Sequence, residues 1–376
     1  MWPPPPPRSF GFGSDEELWV GLAPMVRANS APLRALAARY GASVVYSEEL
    51  IAKRLASTQR VWNDALGTVD FINGAEETIA LRTTPGERLV VQVGAADAGD
   101  ASAAARQVAG ACLGVDLNMG CPKAFSTSGG MGAALLRDPA RAADCVRAMR
   151  RTGVVVSAKI RLAENFERTV DVCRAVQAAG AEAIAVHCRF VDEQPPRAPP
   201  RHATQRELFQ RLRSEFEPFR TECRLIANGD FYARDAAAEA CRGDGAADGV
   251  IVGRPALLNC SIFRRNDDPL PRLVVLRDYV AQCRALDVHH KNAKYVIMEM
   301  LAKRRHPKTV LRLDPLPPHI SISNVAQCRS LDDIETLVCG GAASSSSIPG
   351  GALPDARRYD DAYFLPPNKK RSLDPV

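Results

Sequence analysis

The chain has 376 residues, of which 46% are hydrophobic and 24% charged. This globular composition excludes a fibrous or wholly disordered protein, and the length accommodates one catalytic-size domain plus a smaller one. No run of about 18 uncharged apolar residues occurs, and the opening Met1-Trp2 followed by Pro3 to Pro7 lacks the basic start and apolar run of a secretion signal, so a soluble, cytoplasmic protein with no membrane partner is expected.

The formal net charge is +6, and it is concentrated in one place. Between Arg277 and Arg312 stand nine basic residues against three acidic ones, a difference of +6, so the rest of the chain sums to zero. The 11 cysteines are scattered, with neither zinc-ligand spacing nor a CxxC pair. No metal is therefore expected, and most of these thiols read as small apolar core residues in a reducing compartment.

In chain order, residues 1–14 are Pro-rich and are expected to be disordered. From Leu18 to about Phe263, short apolar runs alternate with Ala-rich helical stretches, as in βα units with a parallel sheet. Strands are predicted at Val20–Ala23, Val44–Tyr46, Leu89–Val93, Val115–Met119, Val154–Ile160, Ala183–His187, Leu225–Asn228 and Val250–Val252. Helices are predicted near Ala31–Tyr40, Ala101–Gly110, Asp138–Arg150, Phe166–Ala179, Thr204–Phe216 and Ala233–Cys241. The Val69–Phe71 and Thr78–Leu81 runs around Asn73-Gly74 read as a small inserted hairpin. After Asp268 the pattern becomes helical, with Ala293, Val296, Ile297, Met300 and Leu301 on one face. Residues 340–376, with Ser344 to Ser347, read as a second disordered tail whose Lys369-Lys370-Arg371 triplet is ordinary solvated charge, an address or a nucleic-acid contact.

Eight strands across some 250 residues match an α/β fold of the TIM (β/α)₈ type, spanning residues 15–268 and followed by a small α-helical domain at 269–339. A doubly wound sheet is the runner-up. The barrel makes a prediction within the sequence itself: chemistry should gather just after each apolar run. Pro24-Met25, Ser47-Glu48-Glu49, Gln92, Asn118 to Cys121, Lys159 and Arg161, His187 and Arg189, Asn228-Gly229-Asp230 and Gly253-Arg254 all do so.

Three constellations carry chemistry. Cys121, between Gly120 and Pro122 and near Lys123, sits at a strand end and reads either as a reactive thiol or as a buried structural one. The following Gly129-Gly130 stretch reads as an unstructured lid or an ordinary surface loop. Lys159, Arg161, His187 and Arg189 at adjacent strand ends suit an anionic or electron-rich ligand. Asn228, Gly229, Asp230, Gly253 and Arg254, after the seventh and eighth strands, suit a phosphate-bearing cofactor such as FMN, with Gln92 and Asn118 free to meet a flavin ring edge.

The segments Leu22-Ala-Pro-Met-Val-Arg27, Asp116-Leu-Asn-Met-Gly-Cys-Pro-Lys123, Ser-Gly-Gly-Met-Gly-Ala-Ala-Leu-Leu136, Lys159-Ile-Arg161, Val186-His-Cys-Arg189, Ile226-Ala-Asn-Gly-Asp230 and Gly253-Arg254 resemble the tRNA dihydrouridine synthases over roughly residues 18–305. Tyr46-Ser-Glu-Glu-Leu50 resembles the eukaryotic subfamily acting on uridine 20. The resemblance implies an FMN-binding barrel, NADPH or NADH as hydride source, tRNA as partner and substrate, and a helical domain that grips it. It implies Cys121 as proton donor. Pro24, Met25, Val26, Glu49, Gln92, Lys159, His187, Asn228, Gly229, Asp230, Gly253 and Arg254 would hold the cofactor. Asn118, Lys123, Arg161, Arg189, Lys291 and Lys294 would meet the substrate.

Cys188 departs from the small residue usual at its position, Gln194 to His202 is unusually rich in Pro and Arg, and no double-stranded-RNA-binding domain is expected after residue 306. A monomer is expected. Two rival readings stand beside this one: a flavin barrel acting on a free pyrimidine or other small molecule, and a catalytically silent RNA-binding module.

Overall fold

Eight of the apolar runs form parallel strands: β1 (Val20–Leu22), β2 (Val44–Tyr46), β3 (Leu89–Gly94), β4 (Gly114–Met119), β5 (Val156–Leu162), β6 (Ala183–Phe190), β7 (Arg224–Asn228) and β8 (Gly249–Val252). Each pairs with its neighbour in chain order, and β8 returns to β1 through the Val20↔Val250 register, so the sheet closes on itself. The fold is a TIM barrel followed by helices. The computed structural model describes residues 10, 18–74, 77–191, 206–215, 223–243, 246–265, 269–302 and 314–340.

All eight strands lie where the sequence places them. The differences are at strand ends, where β5 runs on to Leu162 and β6 to Phe190. A register shift between His187 and Phe190 marks an irregularity at the end of β6, a feature that re-aims side chains near a barrel rim. The helices Ala31–Arg39, Ala98–Val108, Pro139–Arg150, Phe166–Ala178, Arg206–Glu215 and Arg234–Ala240 surround the barrel. Three starts are set by local chemistry: the Asp97, Asp138 and Asn165 side chains accept the Asp100, Arg141 and Arg168 N–H groups, satisfying donors that a first helical turn leaves open.

Because side chains alternate along a strand, each apolar run sends half its residues outward to the helices and half into the barrel. Inside lie Val44, Tyr46, Val90, Val155, Ala183, Ala185, Ile226 and Ile251, packed with Trp19 and Phe10. Phe10 is 1% exposed, and a Cβ placed on Gly114 would lie 2.5 Å from its ring. This residue falls in the stretch expected to be disordered, and the structure instead seats it in the N-terminal end of the barrel, where Arg88 Nη2 donates to its carbonyl at 3.1 Å. The other residues of 1–14, and the tail beyond Gly340 with its basic triplet, lie outside the described residues. With one end packed by Phe10 and Trp19, access to the interior is from the opposite, C-terminal end of the strands.

The expected hairpin is one strand larger: Gln59–Asn63, Thr68–Asn73 and Thr78–Thr83 form an antiparallel sheet. The first strand reads as polar because it lies largely at the surface, which removes the apolar signal. Arg82 in this sheet is buried against Asp70 at 2.7 Å and donates to the carbonyl of Leu286, joining the insertion to the helical part.

That part comprises Arg272–Ala285, His290–Leu301, Ile322–Gln327 and Leu331–Cys339. In its second helix the buried residues are Ala293, Val296, Ile297, Met300 and Leu301, the face read from the sequence. It packs on the barrel through Tyr40, whose hydroxyl donates to Asp278 at 2.5 Å, and through Arg27, whose guanidinium lies over the Tyr295 ring. Among the described residues no helix is long and apolar enough to cross a membrane, and no His, Cys, Asp and Glu side chains gather as a metal-holding group.

Candidate active site

Every barrel strand delivers its C-terminal residues to one cavity of about 250 Å³. Pro24, Met25, Val26, Glu49, Gln92, Asn118, Cys121, Lys123, Lys159, Arg161, His187, Asn228, Gly229, Asp230, Gly253 and Arg254 all line it. The alternation that fills the lower barrel with apolar side chains puts the polar ones of the same face at the top, so the clustering follows from strand direction.

Arg189, Lys291 and Lys294, expected at the substrate, are not on this surface. Arg189 is 3% exposed and is held by the carboxylate of Asp230 and by His187. Lys294 Nζ donates to the carbonyls of Ala326 at 2.6 Å and Cys328 at 2.7 Å, closing the end of a neighbouring helix. Lys291 is exposed on the second C-terminal helix. Asp230 does line the cavity, and its carboxylate meets Arg189 and lies 3.6 Å from Arg254, so part of its charge is taken up by cations of the site.

Cys121 is held by its backbone. Asn118 Oδ1 accepts the N–H groups of Gly120 at 2.9 Å and Cys121 at 3.1 Å, and Arg161 Nε donates to the Gly120 carbonyl at 3.0 Å. The Cys121 carbonyl accepts Ala133 N–H at 2.9 Å, tying the thiol's turn to the segment after the glycine loop. That segment is less open than expected: a helical turn at Ala124–Thr127 and a 3₁₀ turn at Gly132–Arg137 flank Gly129-Gly130, and buried Ser126 donates to Glu49 Oε1 at 3.2 Å. The Cys121 thiol is pushed up to about 11 by burial and then by the adjacent Glu49 charge. At neutral pH it carries its proton, which suits an acid and not a thiolate nucleophile.

Below Asn118 runs a polar chain that the sequence reading missed. Asn118 Nδ2 donates to Gln92 Oε1 at 3.4 Å, Gln92 Nε2 to Asp116 Oδ2 at 2.8 Å, and Ser157 Oγ to Asp116 Oδ1 at 2.6 Å. Gln92, Asp116 and Ser157 are cross-strand register partners, so the chain is one rung across β3, β4 and β5. Its signal was present: Asp116 precedes Asn118 by two and therefore shares its inward face. Burial raises Asp116 to about 6.

The cations differ in state. Burial, then Arg161, lowers Lys159 to about 8, with Asp116 opposing, so it remains mostly charged at neutral pH. Burial, then Arg161, Lys159, Arg189 and Arg254, drives His187 well below its ordinary value, leaving it neutral. Glu49 is raised by burial, and its Oε2 is buried without a hydrogen-bond partner among the described residues. Further lining residues, outside the expected set, are Ala23, Pro122, Phe231, Ile251, Val252 and Pro255.

These features fit a flavin mononucleotide. Lys159, Arg161 and Arg254 supply positive charge, and Gly229 at φ +116° adopts a backbone that a side chain would oppose. Gln92, Asn118 and the unpartnered Glu49 oxygen supply polar groups for a heterocycle edge. Residues 21–312 match the family model described as "Dihydrouridine synthase (Dus)". The chain belongs to the dihydrouridine synthase family. It is similar to the Schizosaccharomyces pombe tRNA-dihydrouridine(20) synthase [NAD(P)+], at 33% identity over 297 residues, covering 75% of this chain and 59% of that protein. The Saccharomyces cerevisiae enzyme of the same name is 37% identical over 181 residues, covering 45% of this chain and 47% of that one. A Homo sapiens tRNA-dihydrouridine(20a/20b) synthase [NAD(P)+]-like protein is 32% identical over 247 residues, covering 64% and 69%. The aligned regions thus span about half to three-fifths of the two yeast dihydrouridine synthases.

Proposed function

We propose that this dihydrouridine synthase family member reduces the C5–C6 bond of a D-loop uridine in tRNA, at position 20, using FMN and NADPH or NADH. The observation that carries this reading is Cys121: a protonated thiol at the mouth of a cavity that also holds Gln92, Asn118, Lys159, Arg161 and Arg254. Bound FMN would supply hydride to C6 of the pyrimidine. Cys121 Sγ then gives its proton to C5, so that NAD(P)H, a proton and uridine become NAD(P)+ and dihydrouridine.

The target base must leave its stack to reach the cavity, since neither face of its ring is accessible within one. Lys159 and Arg161 hold developing negative charge near the reacting ring or the cofactor, and the Asn118 contacts with Gly120 and Cys121 keep the thiol's turn in place. The basic helical segment supplies non-specific attraction for RNA phosphates. The working form in this reading is a cytoplasmic monomer, to be checked by sedimentation and cell fractionation.

The test is to incubate the full chain with FMN, NADPH and unmodified tRNA and to map dihydrouridine by mass spectrometry. Expected is product at position 20, dependent on both cofactors. Cys121→Ala should retain the yellow flavin and lose about 10²–10⁴-fold in turnover. A flavin-loaded protein that leaves tRNA untouched, or that reduces free uridine as fast as tRNA, overturns the reading.

A further inference from the structure

Arg189 and His187 stand two apart at the end of β6, beside the register irregularity that follows His187. Arg189 Nη1 lies 2.9 Å from His187 Nε2. A guanidinium has five donors, no acceptor and no accessible neutral form, so the ring nitrogen facing it has to accept. A neutral imidazole that accepts at Nε2 carries its proton on Nδ1.

We infer that Arg189 is a positioning residue that locks His187 as the neutral, Nδ1-protonated tautomer, so that the ring offers the cavity a donor and no acceptor. Arg189 can do this because it is itself fixed. It is buried, and Asp230 accepts its second terminal nitrogen while also taking the Tyr232 hydroxyl at 3.3 Å and facing Arg254 at 3.6 Å. Protonating Nε2 would set N–H against N–H, and the added charge would face Arg161, Lys159, Arg189 and Arg254, with Asp230 already paired to Arg189.

Nδ1 is then the one ring nitrogen left for a ligand, and His187 lines the cavity. A neutral N–H donor there suits a phosphate or carbonyl oxygen, and it cannot serve as a general base or as an acid of ordinary strength. The ligand assignment rests on the flavin reading above, whereas the tautomer does not.

The test is a long-range ¹H–¹⁵N correlation spectrum of the full chain labelled at histidine, with the His187 ring assigned from a His187→Gln variant among the six histidines. Expected is a protonated Nδ1 and an unprotonated Nε2 at neutral pH, unchanged on acidification to about pH 5, roughly 1.5 units below an ordinary histidine's midpoint. Arg189→Met, if its methyl spectrum is that of a folded protein, should lose the lock, with the Nε2-protonated form appearing and the ring beginning to titrate. An Nε2-protonated or cationic His187 in the unmodified protein overturns the inference, and that measurement stands even if the variant does not fold. Retention of the Nδ1-protonated form in folded Arg189→Met also overturns it. The readout needs no tRNA or turnover: an inactive protein with the expected tautomer sinks the proposed activity alone, and an active one with the opposite tautomer sinks this inference alone.

Discussion

Gln92 Nε2 donates to Asp116 Oδ2 at 2.8 Å across one barrel rung, and this contact sets the polarity of the amides above it. An ionised carboxylate only accepts, so Gln92 presents its oxygen upward to Asn118 Nδ2, and Asn118 keeps its own oxygen for the Gly120 and Cys121 amides. Asp116 is 0% exposed and raised by burial to about 6. A carboxyl raised from about 4 to about 6 costs about 3 kcal/mol when charged, a penalty absent below about pH 4 and fully present above pH 6. Asp116→Asn, in which Ser157 can turn its hydroxyl to accept, should gain up to about 3 kcal/mol at pH 7 and nothing at pH 4 in urea unfolding. Because Asp116 supports the Lys159 charge, the same variant should move the alkaline limb of turnover to lower pH.

Alkylation reports on Cys121. Its thiol stands at about 11 partly through the adjacent Glu49 charge. Iodoacetamide should therefore label Cys121 slowly at pH 8 and faster as the pH rises. Glu49→Gln removes a negative neighbour, lowers the thiol and should accelerate labelling at fixed pH; an unchanged or slower rate would mean the two groups are not coupled. Peptide mass spectrometry separates Cys121 from the ten other cysteines.

The Arg27 guanidinium lies 4.3 Å from the Tyr295 ring centroid, joining the first barrel loop to the second C-terminal helix. Stacking of this kind contributes roughly 0.5–1 kcal/mol at an exposed site. A double-mutant cycle with Arg27→Met and Tyr295→Leu should return a coupling of about that size in unfolding free energy, and a coupling near zero would make the contact incidental.

Gly132 has φ +59°, and a Cβ on it would meet Ser126 Oγ at 2.3 Å and the Cys121 carbonyl at 2.5 Å. Gly132→Ala should cost about 2–4 kcal/mol through backbone strain and overpacking together. Since it displaces Ser126 and the Cys121 turn at once, turnover should fall along with the melting temperature.

Salt dependence separates the two lysines. Lys294 is used inside the fold, so Lys294→Met should lower stability while leaving the salt slope of tRNA binding unchanged. Exposed Lys291, if it meets a phosphate, should reduce that slope by about one when changed to Ala. Filter binding across a salt series reads both.

Arg277 and Arg284, though exposed, are likewise engaged within the chain, by the Val338 carbonyl and by Asp332 and Glu335. Three of the segment's four basic side chains among the described residues are thus already engaged within the chain, Lys303 to Arg312 lying outside the described residues; charge can be counted along a chain, but its pairing depends on residues far from it.

Strand positions, the barrel and the ring of polar residues at one end were legible in the sequence because each rests on local alternation: a run of β-branched residues, then a polar or glycine residue in register with its inward face. Cys121, Gln92, Lys159 and Gly229 were found that way. Which polar group meets which was decided only by the closed sheet. Asp116 reaches Ser157 and Arg189 reaches Asp230 across 41 residues in each case, and Phe10 is buried by strands that begin far downstream. Such pairings depend on strand register and barrel closure, neither of which any short window of residues specifies, so they emerge only when the last strand meets the first.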